Sequence, residues 1–306
     1  MPNIIKTKNY SWIHLEENDE ESIKYLEKEY DFHELDIEDV ASGPQQPKVD
    51  FYKDYLFGIF HFPDFQSDTE GKIHVIELDV FLSKNYLITI TKGNNKRIND
   101  IFENINNSEE YKKEMMDEGS SFLMYEIIDK LTDGCWPVVR KISTQISDVE
   151  EWVYSEESHK GVVWQIALIR RNLIRLKRII NPQITVIEEL EKTDKPYLKK
   201  ELNNYFDDIR DTLSRMQGIV GGYFDTMDIL QKINESLISE RTNQVIKFLT
   251  VISVSLLPLT LLTGVYGMNI QGLPFSNDPN MVWLVFGGLF VLVFLVLFVS
   301  RKRDLL

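Results

Sequence analysis

The chain has 306 residues, 43% hydrophobic and 27% charged, enough for one large domain or two ordinary ones, most of it water-soluble. Lys and Arg total 34 against 48 Asp and Glu, a formal net charge of −14 that argues against a nucleic-acid surface and suits cations or plain solubility. The single cysteine, Cys135, excludes an internal disulfide and a cysteine-based metal site, and reads as a small buried apolar residue.

The first residues, MPNIIKTKNYSWIHLEENDE, hold no apolar stretch of signal-peptide length, so the main body is expected to stay in the cytoplasm. The following stretch reads as mixed α/β. ESIKYLEKEY has helical spacing, and HELDIEDVASG follows as a short helix ending at Gly43. YLFGIFHF and VIELDVFLSKNYLITIT are rich in β-branched and aromatic residues and read as strands. Lys84-Asn85 folds the second of these into a hairpin, and DFQSDTEGK is a turn by its Asp, Ser and Gly. From Ser120 the apolar residues recur every three or four positions, which predicts helices. Pro182 marks a kink or break in the second of them. From Tyr205 the pattern runs without a proline or turn cluster to Tyr266, roughly 90 Å if it is one helix, with Gly221-Gly222 as its weak point.

Two segments have the length and apolarity to cross a bilayer. Residues 245–266 carry one charge, Lys247, and residues 281–300 carry none. Arg241 and Lys247 precede the first span, and Arg301, Lys302 and Arg303 follow the second, whereas the loop between has neither Lys nor Arg. The positive charges therefore put both termini in the cytoplasm and the loop outside.

The first span has a stripe at helical spacing: Asn243, Ile246, Thr250, Ser253, Leu257, Thr260 and Gly264, with Leu249 beside it. It gathers most of the span's small and polar residues, and it suits either a pore wall or close helix packing. One chain with two spans cannot enclose a channel, so a pore would require a ring of copies. Directly after the span stands YGMN, Tyr266 to Asn269, where an amide oxygen could meet an ion as the helix leaves the membrane.

YGMN after the first of two C-terminal spans resembles the signature of the CorA family of divalent metal-ion transporters, in the wider two-transmembrane GxN superfamily. LPLTLLTGVYGMN, SERTNQVIKFLT, LIRRNLIRLKRIINP and HELDIEDVASGPQQPKVDFYKDYLFGIFHFP are similar to the family's sequences as well, so the likeness covers nearly the whole chain. The resemblance implies an α+β cytoplasmic domain (1–119), a helical and stalk region (120–244), a pore-lining span (245–266), an outer loop (267–280), a second span (281–300) and a basic tail (301–306), assembled as a funnel-shaped homopentamer in the cell's inner, or plasma, membrane. It implies Gly267, Met268 and Asn269 as the ion filter. It implies Asn243, Ile246, Leu249, Ser253, Leu257 and Thr260 as pore-lining positions, with Ile246, Leu249 and Leu257 as a hydrophobic constriction.

The implied activity is a Mg²⁺ channel, also passing Co²⁺ or Ni²⁺, closed by cytoplasmic Mg²⁺ bridging Asp208 of one subunit to a carboxylate near the turn after the second long strand, Asp64 or Asp68. An acidic stalk residue of some members falls here on Lys232. The loop IQGLPFSNDPN is similar to those of relatives assigned to zinc, including the ZntB branch. A Zn²⁺ transporter, with or without proton coupling, is therefore the second reading, and a non-transporting membrane scaffold or metal sensor the third. No Gly-rich phosphate loop or paired metal-binding histidines point to an enzyme; His14, His33, His61, His74 and His159 are scattered.

Overall fold

The computed structural model describes residues 2–16, 19–65, 71–92, 96–155, 161–269, 272–274 and 278–302. The chain divides into two compact units, Met1–Leu230 and Gln231–Leu306.

The first unit is built on a six-stranded sheet: β1 (Asn3–Lys6), β2 (Ser11–Leu15), β3 (Lys48–Phe51), β4 (Leu56–Phe65), β5 (Ile73–Leu82) and β6 (Tyr86–Thr91). The spatial order is β1-β2-β6-β5-β4-β3, and only the β2–β6 pair is parallel. β4 and β5 pair over their full ten residues, Leu56 opposite Leu82 and Phe65 opposite Ile73. Alternation along these strands supplies two apolar faces. On one face, Phe57, Ile59, Phe81, Ile88 and Ile90 pack under Leu26 of α1 (Glu20–Glu29) and Ile37 and Val40 of α2 (Glu34–Ala41). Asp19 caps α1 by accepting from the Ser22 amide at 2.8 Å. On the other face, Trp12 packs at a tilt against Phe102 of α3 (Lys96–Asn107), ring centres 4.9 Å apart, and donates to Thr89 Oγ1.

α4 (Glu109–Met116), α5 (Ser120–Asp133), α6 (Trp136–Tyr154) and α7 (Val162–Lys192) complete the layers, with α5 on β5 and β6 and α7 along β3, β4 and β5. α6 buries Val138, Val139, Ile142, Ile146, Val149 and Val153, the spacing of a one-sided helix. Cys135 is buried, as its composition suggests. α7 passes through Pro182 without a break. Ile179, Ile180, Gln183, Val186 and Ile187 are buried around it, and Gln183 Oε1 accepts from the His61 amide at 3.1 Å, so packing outweighs the lost backbone bond. β4 runs on through Asp64 and Phe65, so the predicted turn starts later; residues 66–70 lie outside the described residues.

α8 spans Asn203–Tyr266 as one helix after a 3-10 turn at Lys200–Leu202. Within the first unit it buries Phe206, Ile209, Leu213, Met216, Val220, Met227 and Leu230. Beyond Leu230 it buries no described side chain until Ser255. The second unit holds the end of α8 and α9 (Pro279–Lys302). These two helices contain windows of mean hydropathy 2.2 and 2.9, long and apolar enough to cross a membrane.

Candidate functional site

In the second unit α8 has two faces. From residue 245 onward Val251, Ile252, Ser255, Pro258, Leu259, Leu262 and Tyr266 are its buried or half-buried residues, and the Tyr266 ring lies 6.0 Å from Phe286 of α9. At about 100° per residue these seven cluster on one side, and the stripe from Asn243 to Gly264 centres about 180° away. Accordingly Asn243, Ile246, Leu249, Ser253, Leu257 and Thr260 are all exposed in the single chain, Leu257 by 64%. Ser255 and Thr263 are hydroxyls off the stripe; Ser255 is 5% exposed on the side where Val293 of α9 is also buried. The stripe is slightly hollow: Leu257, Thr260, Leu261, Gly264, Val265 and Met268 line a depression of about 490 Å³, open where Gly264 has no side chain.

The hydroxyls of the stripe donate along the helix. Thr250 Oγ1 reaches the Ile246 carbonyl at 2.8 Å, Ser253 Oγ the Leu249 carbonyl at 2.8 Å, and Thr260 Oγ1 the Leu256 carbonyl at 3.1 Å. Each hydroxyl proton is thereby used, and its oxygen lone pairs face away from the helix as acceptors. The helix closes with the Gly267 amide donating to the Thr263 carbonyl at 2.9 Å and the Met268 amide to the Val265 carbonyl at 3.2 Å. A Cβ on Gly267 would stand 3.0 Å from the Thr263 carbonyl oxygen, so the turn favours glycine there. Tyr266 Oη donates to the Pro274 carbonyl at 2.9 Å and ties the helix end to the loop. Asn269 is exposed, and its side-chain amide makes no hydrogen bond to another described residue.

The carboxylates named from the sequence separate in the first unit. Asp64 Oδ1 accepts from Arg97 Nη2 at 3.1 Å. Asp68 lies outside the described residues. Asp208 is exposed on α8, while its neighbours Asp207 and Asp211 are both held by Arg210, which also reaches Glu191 at 2.7 Å. Asp208 instead acts on α5. Burial, Asp133, Glu126 and, more weakly, Asp208 push the Asp129 carboxyl up to about 6. Sequence reading missed Asp129; the signal available was the acidic spacing Glu126, Asp129, Asp133 on one face of a predicted helix. Among the described residues of one chain, no three His, Cys, Asp or Glu side chains converge on a metal-sized point.

An α/β unit, a long helix with a polar stripe that ends at Gly-Met-Asn, and a second wholly apolar helix together define a two-span membrane transporter class. Residues 7–302 match the family described as CorA-like Mg²⁺ transporter protein, and the chain belongs to that family. It is 27% identical to the cobalt/magnesium transport protein CorA of Thermotoga maritima over 281 residues, covering 89% of this chain and 77% of that one. It is 22% identical to the zinc transport protein ZntB of Yersinia pseudotuberculosis, covering 87% and 79%. Its fold matches the complete structure of the CorA magnesium transporter of Methanocaldococcus jannaschii with a TM-score of 0.83 at 21% identity, over 97% of this chain and 92% of that one.

Proposed function

We propose that this chain carries divalent metal cations across a membrane, with Mg²⁺ as the main substrate and Co²⁺ and Ni²⁺ also accepted. The observation that carries this reading is the exposed stripe of α8 opposite its α9-packing face, leading to Gly267, Met268 and Asn269. Copies arranged as a ring, a homopentamer in this reading, bring the stripes around one axis and give them water to face. Mg²⁺ sheds its waters reluctantly and prefers oxygen ligands. The Asn269 amide oxygens and the outward hydroxyl lone pairs therefore act on the ion's water shell. Ile246, Leu249 and Leu257 form the narrow apolar stretch that closes the path by excluding water. Arg301, Lys302 and Arg303, with Arg241 and Lys247, favour both termini on the cytoplasmic side of the cell membrane. No covalent step is required, so the reading is a transporter and not an enzyme.

Zinc is the second substrate reading, favoured by the ZntB relative that this chain matches over 87% of its length. One experiment tests both. Purified chain in liposomes is given Mg²⁺ or Zn²⁺, with and without a pH gradient. Mg²⁺ influx without a gradient, lost in an Asn269→Ala protein that still assembles, supports the first reading. Zn²⁺ flux that needs the gradient supports the second. Full Mg²⁺ flux through assembled Asn269→Ala overturns the filter assignment.

A further inference from the structure

One cleft of the first unit is charged against the trend of the molecule. It lies where α7 crosses the ends of β4 and β5 and has a volume of about 1060 Å³, just above the ~300–1,000 Å³ usual for small-molecule sites. Its lining includes Arg175, Lys177, Arg178, His61 and His74 and no carboxylate, in a chain whose net charge is −14.

The cations are not used up by the fold. Farther along α7, Arg170 is paired with Asp228 at 2.8 Å. Lys177 and Arg178 are exposed and carry no ion pair among the described residues. Arg175 is half-buried and fixed by an Nη1 bond to the Ile73 carbonyl at 2.7 Å, which leaves the rest of its guanidinium fork available. Two acids beside the lining histidines are already engaged: Asp64, opposite His74, holds Arg97, and Glu77 has His61 Nε2 at 3.1 Å, the Gln45 amide at 3.0 Å and Lys92. His74 Nε2 is buried and has no hydrogen-bond partner. Beside these groups stands an apolar wall of Ile73, Val75, Ile174, Ile179 and Phe224.

Three uncompensated cations converging in one cleft favour an anion with several closely spaced charges. The overall negative charge disfavours an extended polyanion such as nucleic acid. The apolar wall gives a flat ring a place to lie. We infer that this cleft binds a nucleoside triphosphate, with the phosphates against Arg175, Lys177 and Arg178 and the base against Phe224 and Ile174. The site uses side chains on a helix instead of a glycine-rich loop, which explains why no phosphate-loop motif is present in the sequence.

The test is titration calorimetry on the full chain in detergent, in EDTA so that no divalent cation contributes, with ATP, tripolyphosphate and adenosine as probes. The same titrations are run on Lys177→Glu/Arg178→Glu and on Lys28→Glu, a charge change on α1. Melting curves and gel filtration confirm that each variant is folded and assembled; if the double variant is not, Arg178→Ala replaces it. Saturable ATP binding that is tighter than tripolyphosphate, weakened at least ~10-fold by the cleft variant and unchanged by Lys28→Glu, supports the site. Equal binding of ATP and tripolyphosphate overturns the nucleoside part. No saturable ATP binding to the parent, or equal affinity in parent and cleft variant, overturns the proposal. So does a parent that binds no ATP together with a cleft variant that only loses assembly, since the cleft is then a face between copies of the chain. The readout is binding, so its outcome does not depend on whether Mg²⁺ is the transported ion.

Discussion

Both carboxyl oxygens of Asp79 are buried in the sheet without a hydrogen-bond partner, between Ile59 and Ile90 on the neighbouring strands. Burial, with Glu77 two residues along the same face, pushes this carboxyl up from 3.8 to about 8. Glu77 shows the contrast. Burial opposes its charge too, but hydrogen bonds from His61 and Lys92 outweigh that and hold it below the usual range. For Asp79 the folded state binds the proton more tightly than the unfolded chain. Stability is therefore full below about pH 4 and falls as pH rises through about 8, by on the order of 5 kcal/mol. Asp79→Asn removes this slope. Unfolding of the detergent-solubilised chain should show the variant gaining on the parent between pH 5 and pH 8, less a constant ~1–2 kcal/mol for its unpaired amide protons. Parallel pH profiles for the two proteins would show that Asp79 does not titrate in this range. Nothing in the sequence marks Asp79, because VIELDVFL alternates as any half-buried strand does. Which carboxylate gains partners depends on Lys92 and the backbone at Gln45. Asn269 was legible because its position depends only on the helix end beside it. The Asp64–Arg97 bridge was not, because it joins residues 33 apart along the chain.

At the scale of elements, long periodic segments and the short helix α2 were readable, and the four- and five-residue strands were not. β4, β5 and β6 declare themselves by runs such as LFGIFHF, with β-branched and aromatic side chains. NIIK and SWIHL are only four and five residues long, and β2 finds its parallel partner β6 some 75 positions later, as in His14 opposite Thr89. Local pattern carries no information about a partner that distant. α8 is the opposite case, continuous through the Gly221-Gly222 pair that looked weak. Both glycines are exposed, and a Cβ at either would meet nothing within 4 Å. Gly221→Ala and Gly222→Ala should each stabilise the chain by roughly 1 kcal/mol, since alanine loses less backbone freedom in a helix. A lower melting temperature for either variant would mean that these positions are covered when copies assemble. The exposed stripe at the far end of α8 supplies a second test. Leu257→Asp places a carboxylate in each copy's apolar constriction. If the stripe lines a pore, single-channel current should rise, because the charge holds water where Leu257 excludes it. If Leu257 faces lipid, the same substitution should impair insertion instead.

The whole molecule has a charge of −14, and on α5 and α8 part of it is concentrated and only partly neutralised, by Lys130 and Arg210. Arg210 already serves Asp207 and Asp211, so the run on α8 is less repulsive than its sequence suggests, and Asp208 is the member left over. Asp208 also contributes to the raised proton affinity of Asp129, which measures how much that neighbourhood would gain from a positive charge. A divalent cation with oxygen preference supplies that charge. The described residues of one chain offer it no three-ligand point, so a regulatory site at Asp208 would need further donors from a second copy. Binding across copies would then favour an assembled, closed arrangement by linkage. Protons and Mg²⁺ compete here, which fixes the sign of the pH effect. Above about pH 6 Asp129 is ionised and Mg²⁺ should protect the chain from limited proteolysis at lower concentration; at pH 5.5 more Mg²⁺ should be needed. Asp208→Ala should raise the protecting concentration at both pH values. Asp129→Asn should abolish the difference between them, because the competing proton is gone. Identical titrations for parent and Asp208→Ala would remove Asp208 from the sensor. A pH difference that survives in Asp129→Asn would assign the competing proton to another group.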